Sequence, residues 1–410
     1  MTVSTGRQPL GGRFWTLLAS SAFSNLADGV IKAVLPLIAV RLTDSPILVS
    51  GVLVALTLPW LFFALPVGVL VDSVDRRFAM LVADALRVAV LSVLAAVIAL
   101  DSGSIWTLYV AAFVLGLAET VYDTAAQSLL PSVVDHESLE RANGRLSAAE
   151  ISMNLFAGPP LGGLLVGSVV ILGVSGPAGL WGVAFVAMLL LRGDFKPRRS
   201  TKFDWRGEFF DGARFVWENR LLQTMALMAS VCNIATSAFL ATFVVHAVGL
   251  DSAMRLNDVQ YGFLLAAAGV GSLLGSLMAG WAGSTFGRGR LLMATIVGMS
   301  IFVGAPSFTA SYAAVLLTFF VGGAAVAAWN VVTVSFRQRV TPDALLGRVN
   351  SFYRLLTWGT LPLGALLGGV LGELAGMQPM FATMAVLILL SVAGIRVVNE
   401  ANMRQAVGEP

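Results

Sequence analysis

The sequence predicts an all-α membrane protein of twelve transmembrane helices in two pseudo-symmetric six-helix bundles. Three observations lead there: an apolar composition, twelve apolar runs of spanning length, and an internal repeat relating the first six runs to the last six. Hydrophobic residues make up 57% of the chain and charged residues only 12%, against about 25% charged in a soluble domain. A soluble enzyme is therefore not the starting expectation. A helix needs roughly 20 apolar residues to cross a hydrocarbon core, because lipid offers its backbone no hydrogen-bond partners.

In order, the runs fall at 14–41, 46–71, 78–100, 105–127, 146–172 and 174–192. They continue at 221–248, 259–284, 289–309, 312–335, 348–373 and 378–398, bounded by charge, proline or glycine clusters. The first run is too long for a signal-peptide core and has no small-residue cleavage site, so it is read as a retained helix. With the N-terminus in the cytoplasm, Arg76, Arg77, Arg141, Arg145, Arg288, Arg290, Arg337, Arg339 and Arg348 all fall in cytoplasmic loops. Only Arg41 and Arg255 then lie outside. The positive-inside bias thus places both termini in the cytoplasm, and the net charge of +3 follows topology rather than nucleic-acid affinity; a composition rich in Ala, Gly, Val and Arg with few Lys points to a bacterial inner membrane.

Residues 1–192 are expected to form the first bundle, 193–220 a cytoplasmic amphipathic linker and 221–410 the second bundle. In the linker Phe209, Phe210, Phe215 and Trp217 alternate with Arg206, Glu208, Asp211 and Arg214, the pattern of a helix lying at the membrane surface or of a plain linker with a solvated face. The repeat is read from Leu139–Gly144 against Leu346–Ser351, Gly116 against Gly323, Asn25 against Asn233, and Gly68 and Arg76 against Gly280 and Arg288. Six crossings per half keep the two halves parallel, with a site expected between them near the midplane.

Ionisable groups within spans are costly and need a partner or a task. On the first helix Asp28 and Lys32 are four apart and share a face, with Asn25 nearby. Their second-half equivalents are Thr236 and Leu240, so the repeated scaffold does not require them. A neighbouring cation favours the carboxylate and desolvation favours the acid, so a movement that changes either binds or releases a proton. Asp28 is accordingly a candidate proton carrier, with a static ion pair as the other reading. Asp84 and Arg87, on the third helix, are expected to pair structurally. Glu119 on the fourth helix and Glu150 entering the fifth are further proton-coupling candidates, or else anchors for Arg145 or Arg354. Asn25, Asn233, Asn330 and Arg354 are candidate cavity residues; Arg354 would meet an anionic substrate or one of the acids.

The second helix leads into Gly68-Val69-Leu70-Val71-Asp72-Ser73-Val74-Asp75-Arg76-Arg77, with a degenerate copy at Gly280 to Arg290. This loop resembles the signature G-x-L-a-D-r-x-G-r-r of the major facilitator superfamily, with Asp75 in the place of its usual glycine. The resemblance implies the major facilitator fold and a cytoplasmic gate built on Gly68, Asp72, Arg76 and Arg77. It gives the arginine an acidic partner low on the fourth helix, where Asp123 stands; the plainer reading is that Arg76 and Arg77 only set orientation. On the fifth helix Gly158-Pro159-Pro160-Leu161-Gly162-Gly163 is similar to the G-P-x-x-G-G element associated with exporters of this superfamily, with Gly158, Pro159, Gly162 and Gly163 as its matching residues.

Asp28-Gly29 with Pro36, Asp84 with Arg87, and Pro131 followed by Leu139 to Asn143 resemble the branch containing enterobactin and macrolide exporters. The arginine that many proton-coupled drug exporters carry before the fourth-helix glycine is replaced by Ala112. No G-x-x-x-x-G-K-[ST] occurs, Cys232 is the one cysteine, and two histidines offer no evident ligand set. No cofactor or metal is therefore expected.

The expected function is secondary active, proton-coupled efflux of small amphipathic molecules, drug or siderophore, by alternating access. The partners would be the substrate, protons and the lipid bilayer, with a monomer as the working unit. Import of a nutrient or lipid is the alternative. A membrane receptor or enzyme is the reading from another class.

Overall fold

The computed structural model describes residues 10–135, 138–193, 195–196, 205–249, 252–342 and 345–407, with only the backbone described at 65 and 205–209. Among the described residues every regular element is helical apart from one isolated bridge between Val248 and Leu256. The first four crossings are α1 (Gly11–Leu42), α2 (Pro46–Val71), α3 (Arg76–Ala99) and α4 (Ile105–Leu129). The fifth is composite: α5 (Leu139–Glu150), a π-helical segment (Ile151–Ala157) and α6 (Gly158–Ser168). The sixth is α7 (Val170–Leu190).

After a short connecting helix, α8 (Trp205–Glu218), the second series runs through α9 (Arg220–Ala247), α10 (Asp258–Phe286), α11 (Arg288–Gly304) and α12 (Tyr312–Val340). A broken eleventh crossing follows, α13 (Leu346–Trp358) and α14 (Leu361–Ala375), then α15 (Met377–Leu390) and a terminal α16 (Glu400–Val407).

Eleven of these crossings are long and apolar enough to span a bilayer, with α11 and α15 continued by 3-10 turns to Ser307 and Arg396. The twelfth is the run from α5 to α6, whose longest piece has only 12 residues and carries Glu140, Arg141, Arg145 and Glu150. Its observed extent also corrects the expected 146–172. The break to the next crossing falls at Val169, which is extended at φ −152° and ψ 127°, whereas Gly173 is a buried interior residue of α7 packed on Val166.

Local sequence sets the starts of several helices. Asp75 accepts from the Phe78 amide at 3.1 Å and Asn257 from the Gln260 amide at 2.8 Å, while Ser104 and Thr107 form a reciprocal capping box. The outer surface is rich in exposed apolar side chains such as Phe62, Val93, Leu277, Leu317 and Leu390, the band expected to face lipid.

In the first bundle α1 packs on α6 and α7, α2 on α4, and α3 on α4 and α7; in the second α10 packs on α12, α11 on α12 and α15, and α14 on α9. The bundles meet through α2 against α14 and α6 against α10. The two cores differ in chemistry. Phe239, Phe243, Phe302, Phe319 and Phe381 interlock in the second bundle, with ring centroids 4.8 to 6.3 Å apart. The first bundle instead buries charge. At the connection, α8 docks on α13: Gly212 lies against the Arg348 carbonyl and Asp211 pairs with Arg348 at 3.0 Å. Of the expected linker, residues 194 and 197–204 and the side chains of Arg206, Glu208 and Phe209 lie outside the described residues.

Candidate transport site

Several of the candidates gather along α1, which meets the π-helical segment through Lys32 and reaches α3 through Asp28. A π turn widens the helix and shifts its register, which turns Asn154 toward α1. Lys32 donates from Nζ to Asn154 Oδ1 at 2.8 Å, and Asn154 donates to Asn25 Oδ1 at 3.3 Å. Asn154 therefore ties together the cation and the amide that the sequence placed near Asp28.

Asp28 takes another partner. Its carboxylate stands 3.5 Å from Arg87, and Arg87 in turn stands 3.6 Å from Asp84. Arg87 and Asp84 have no exposed surface, while the Asp28 side chain keeps 11% of its own. The guanidinium donates to Ser24 at 2.9 Å and lies over the rings of Tyr122 and Trp181, about 5 Å from each centroid. Both carboxylate distances exceed hydrogen-bond length, so Arg87 is held by charge and aromatic faces between two acids rather than locked to either. The expected Asp84–Arg87 pair is present, but it is half of a three-membered chain that reaches the partly exposed Asp28.

Glu119 and Asp123 are half-buried one turn apart on α4, within electrostatic reach of Asp28 and Arg87. Asp123 also acts on Arg354. Glu150 is exposed at the end of α5, and Arg145 stacks on Trp15 at 4.9 Å. Arg354 lies over both Trp60 of α2 and Trp358 of α13, at 4.6 and 4.4 Å, and the two indoles meet edge to face at 5.4 Å. A cation thus sits in an aromatic clamp with one jaw from each bundle.

The matched asparagines pin the broken crossings. Asn233 donates to the Thr357 carbonyl at 2.8 Å beside the break between α13 and α14, as Asn25 accepts from Asn154 in the π segment. Asn330 is exposed on α12.

The glycine–proline element lies at a crossroads. Gly158 and Gly162, four apart and so on one face, take the backbone of α1 at Gly29 and Val30. Gly163 meets α10 at Asp258 and Val259, and the Pro159 carbonyl faces Gly262. A Cβ on Gly158 would fall 2.6 Å from Gly29 Cα, so only glycine lets these helices approach.

At the loop motif, Arg77 donates to the Met188 and Leu189 carbonyls at 3.1 and 2.9 Å, capping the end of α7. Asp72 is exposed and Arg76 Nε has no hydrogen-bond partner. Asp123, the acid expected to meet Arg76, is instead engaged electrostatically with the α1, α3 and α4 charges. Asp75 gains a use the motif did not announce: besides capping α3 it accepts from the Phe195 amide at 3.0 Å.

At the opposite end the bundles are clasped. Arg41 pairs with Asp258 at 2.5 Å, and Ser45 donates to Glu373 at 2.7 Å.

A family model described as transmembrane secretion effector, within the major facilitator superfamily, matches residues 7–406. The chain belongs to that family. Among its relatives, multidrug efflux pump Tap of Mycolicibacterium fortuitum is 25% identical over 94% of this chain and 95% of its own length. Macrolide efflux protein A of Streptococcus pyogenes is 21% identical over 95% and 96%. In fold the transporter resembles the nucleoside transporter NupG, with TM-score 0.76 and 13% identity over 94% of this chain and 99% of that one. It also resembles a bacterial homologue of the iron transporter ferroportin in an inward-facing state, with TM-score 0.75 and 16% identity over 95% and 99%. The major facilitator fold expected from the loop motifs is therefore shown, and the chain is a multi-pass transporter rather than an enzyme.

Arg87, Asn154, Trp60 and Trp358 were not singled out as site residues by the sequence. A signal for Arg87 was present: the positions matching Asp84 and Arg87 in the second half are Ile296 and Met299. The asymmetry that marked Asp28 applies to them equally.

Proposed function

We propose that the transporter exports small amphipathic molecules by proton-coupled alternating access, with Asp28 as the proton carrier. The observation that carries this is the chain Asp28, Arg87, Asp84 buried in the first bundle and partly open at Asp28, whereas the core of the second bundle is phenylalanine. A carboxylate that shares one arginine with another acid can be protonated without leaving that arginine unpaired, which makes Asp28 chemically suited to load and release a proton. Glu119 and Asp123 extend the acidic field along α4 and attract a cation or relay the proton; Glu150, exposed at the mouth, is a candidate entry relay. Lys32 and Asn25 set the position of the α1 face through Asn154. Asn330 and Arg354 are the second bundle's contributions to the cleft, while Asn233 supports it from behind.

The names of the relatives support a drug-like substrate, and a siderophore is the finer alternative. In this reading residues 1–192 and 221–410 are the two moving bodies and 193–220 joins them. The arginine-rich end is cytoplasmic in a bacterial inner membrane, carries both termini, and one chain is the working unit. Gly68, Asp72, Arg76 and Arg77 form the cytoplasmic gate, which engages when that side closes. The clasp Arg41–Asp258 closes the other side in the state described.

The test uses proteoliposomes with an imposed pH gradient and a macrolide as probe. The wild type is expected to move the drug against the gradient of protons, and Asp28→Asn to insert normally but lose the pH-driven component. Wild-type coupling in Asp28→Asn would remove Asp28 from the mechanism, and uptake in the direction of import would reverse the assignment of efflux.

A further inference from the structure

Where α2 of the first bundle meets α13 of the second, a cation is held by rings alone. Arg354 lies over Trp60 at 4.6 Å and over Trp358 at 4.4 Å. Among the described residues its guanidinium has no carboxylate within ion-pair distance and no hydrogen-bond partner. An arginine inside a membrane span is ordinarily matched by an acid, as Arg87 is in the first bundle. The repeated scaffold does not account for the difference. In the register that aligns Leu139 with Leu346, Arg354 and Trp358 match Ser147 and Ile151, and in that of Gly68 and Gly280, Trp60 matches Ser272. None of these is a cation or a ring, so the cage belongs to this one junction.

Its jaws are held close by the packing beside them. The two indoles meet edge to face at 5.4 Å. Gly359, next to Trp358, lies so near the Leu61 side chain, next to Trp60, that a Cβ there would fall 2.9 Å from it. The neighbouring helices do not seal the cage, since Trp358 is 44% exposed and Trp60 and Arg354 are only half-buried. Along Pro46–Val71, α2 carries no charged residue, so what it offers a cation is a ring face and an apolar surface.

Two indoles around one positive charge suit organic cations, because the ring quadrupole attracts the charge and the cation gives up little hydration to reach it. Guanidinium is such a cation, more weakly hydrated than a primary ammonium, and alkylated ammonium groups share that property. Arg354 is tethered to the helix that carries one of the jaws, which makes it a standing occupant that a ligand of the same chemistry replaces. Once displaced, its guanidinium has Asp123 of the first bundle within electrostatic reach.

On the transport reading proposed above, on which the assignment rests, we infer that Trp60 and Trp358 form the subsite for a tertiary or quaternary ammonium group of the substrate, with Arg354 as its built-in placeholder. The substrate class is thus an amphipathic organic cation. Its charge enters the cage while its apolar body lies along α2.

The purified full-length chain is tested by equilibrium dialysis with a radiolabelled phenylalkyl trimethylammonium and with its neutral analogue, in which carbon replaces the nitrogen. The wild type is expected to bind the ammonium more tightly than the analogue of equal shape. Trp60→Leu and Trp358→Leu should each cut that preference about tenfold, a partly desolvated ring contact lying between the exposed and buried limits of cation–π attraction, whereas Trp60→Phe should keep most of it. Arg354→Gln empties the cage and should tighten the ammonium about fivefold without changing the neutral analogue. A gain of that kind does not arise from misfolding, so it keeps the test valid if a leucine variant folds poorly. Trp281→Leu, an exposed tryptophan on α10, should bind both probes as the wild type does. Dialysis at one pH without a gradient is blind to proton coupling and to direction, so a failed cage leaves the Asp28 assay standing, and a failed Asp28 assay leaves the cage standing. The cage is overturned by equal binding of the two probes to the wild type, by a preference that survives Trp60→Leu and Trp358→Leu or falls equally in Trp281→Leu or Trp60→Phe, or by unchanged or weaker ammonium binding in Arg354→Gln.

Discussion

Arg87 is the residue on which the first bundle's chemistry turns. It is fully buried, its Nε and Nη2 have no hydrogen-bond partner, and both Asp84 oxygens share that condition. Removing the arginine leaves Asp84 as an uncompensated buried charge, which costs about 3–5 kcal/mol. Arg87→Met is therefore expected to lower the thermal midpoint in detergent sharply, whereas Asp28→Asn leaves Arg87 paired with Asp84 and should unfold close to the wild type. An equal loss in both variants would contradict this division of roles. The spacing of Asp28 and Lys32 was legible in the sequence, but their partners were not. An i,i+4 rule describes one helix, while the contacts that matter here cross from α1 to α3 and to the π segment. Trp60 and Trp358 were hidden for the same reason, being far apart in sequence and joined only when the bundles meet. Replacing either Trp60 or Trp358 by leucine should weaken the Arg354 clamp by about 0.5–2 kcal/mol. The change would be read as a shift of the inward and outward populations in labelled protein.

At the scale of elements, the crossing that hydropathy described least well is the one that carries the exporter-like motif. The fifth crossing enters through a charged first segment, loosens into a π turn and resumes at Gly158-Pro159, so no single piece has spanning length. Apolar runs show where a helix is buried in lipid but not where its hydrogen bonds change register. The glycines were legible as close-packing residues, though not the division of their faces between α1 and α10. That division makes a graded prediction. Gly158→Ala places a methyl against the α1 backbone and should destabilise by about 1–3 kcal/mol, with loss of export. Gly179→Ala, which meets nothing within 4 Å, should lie within about 0.5 kcal/mol of the wild type. Similar behaviour of the two variants would mean the α1–α6 contact is not tight.

Across the whole molecule, the repeat visible in the sequence built a symmetric scaffold, and departures from it located the chemistry. Where the first bundle has Asp84, Arg87 and Ala112, the second has Ile296, Met299 and Phe319, so charge collects in one half and aromatic packing in the other. The clasp of Arg41 with Asp258 and of Ser45 with Glu373 holds the halves together at the end opposite the arginine-rich loops. A partly exposed pair is worth about 0–1 kcal/mol, so Asp258→Ala should raise the population open on that side by no more than about fivefold. Alternating access requires the two bundles to rock against each other, and spin-label distances test that most directly. In a Cys232→Ser background, one label pair is placed at Ser73 and Thr285 and another at Ser102 and Ser311. Adding drug at changed pH is expected to shorten one distance as the other lengthens, whereas two distances that stay constant, or move in the same sense, would contradict alternating access.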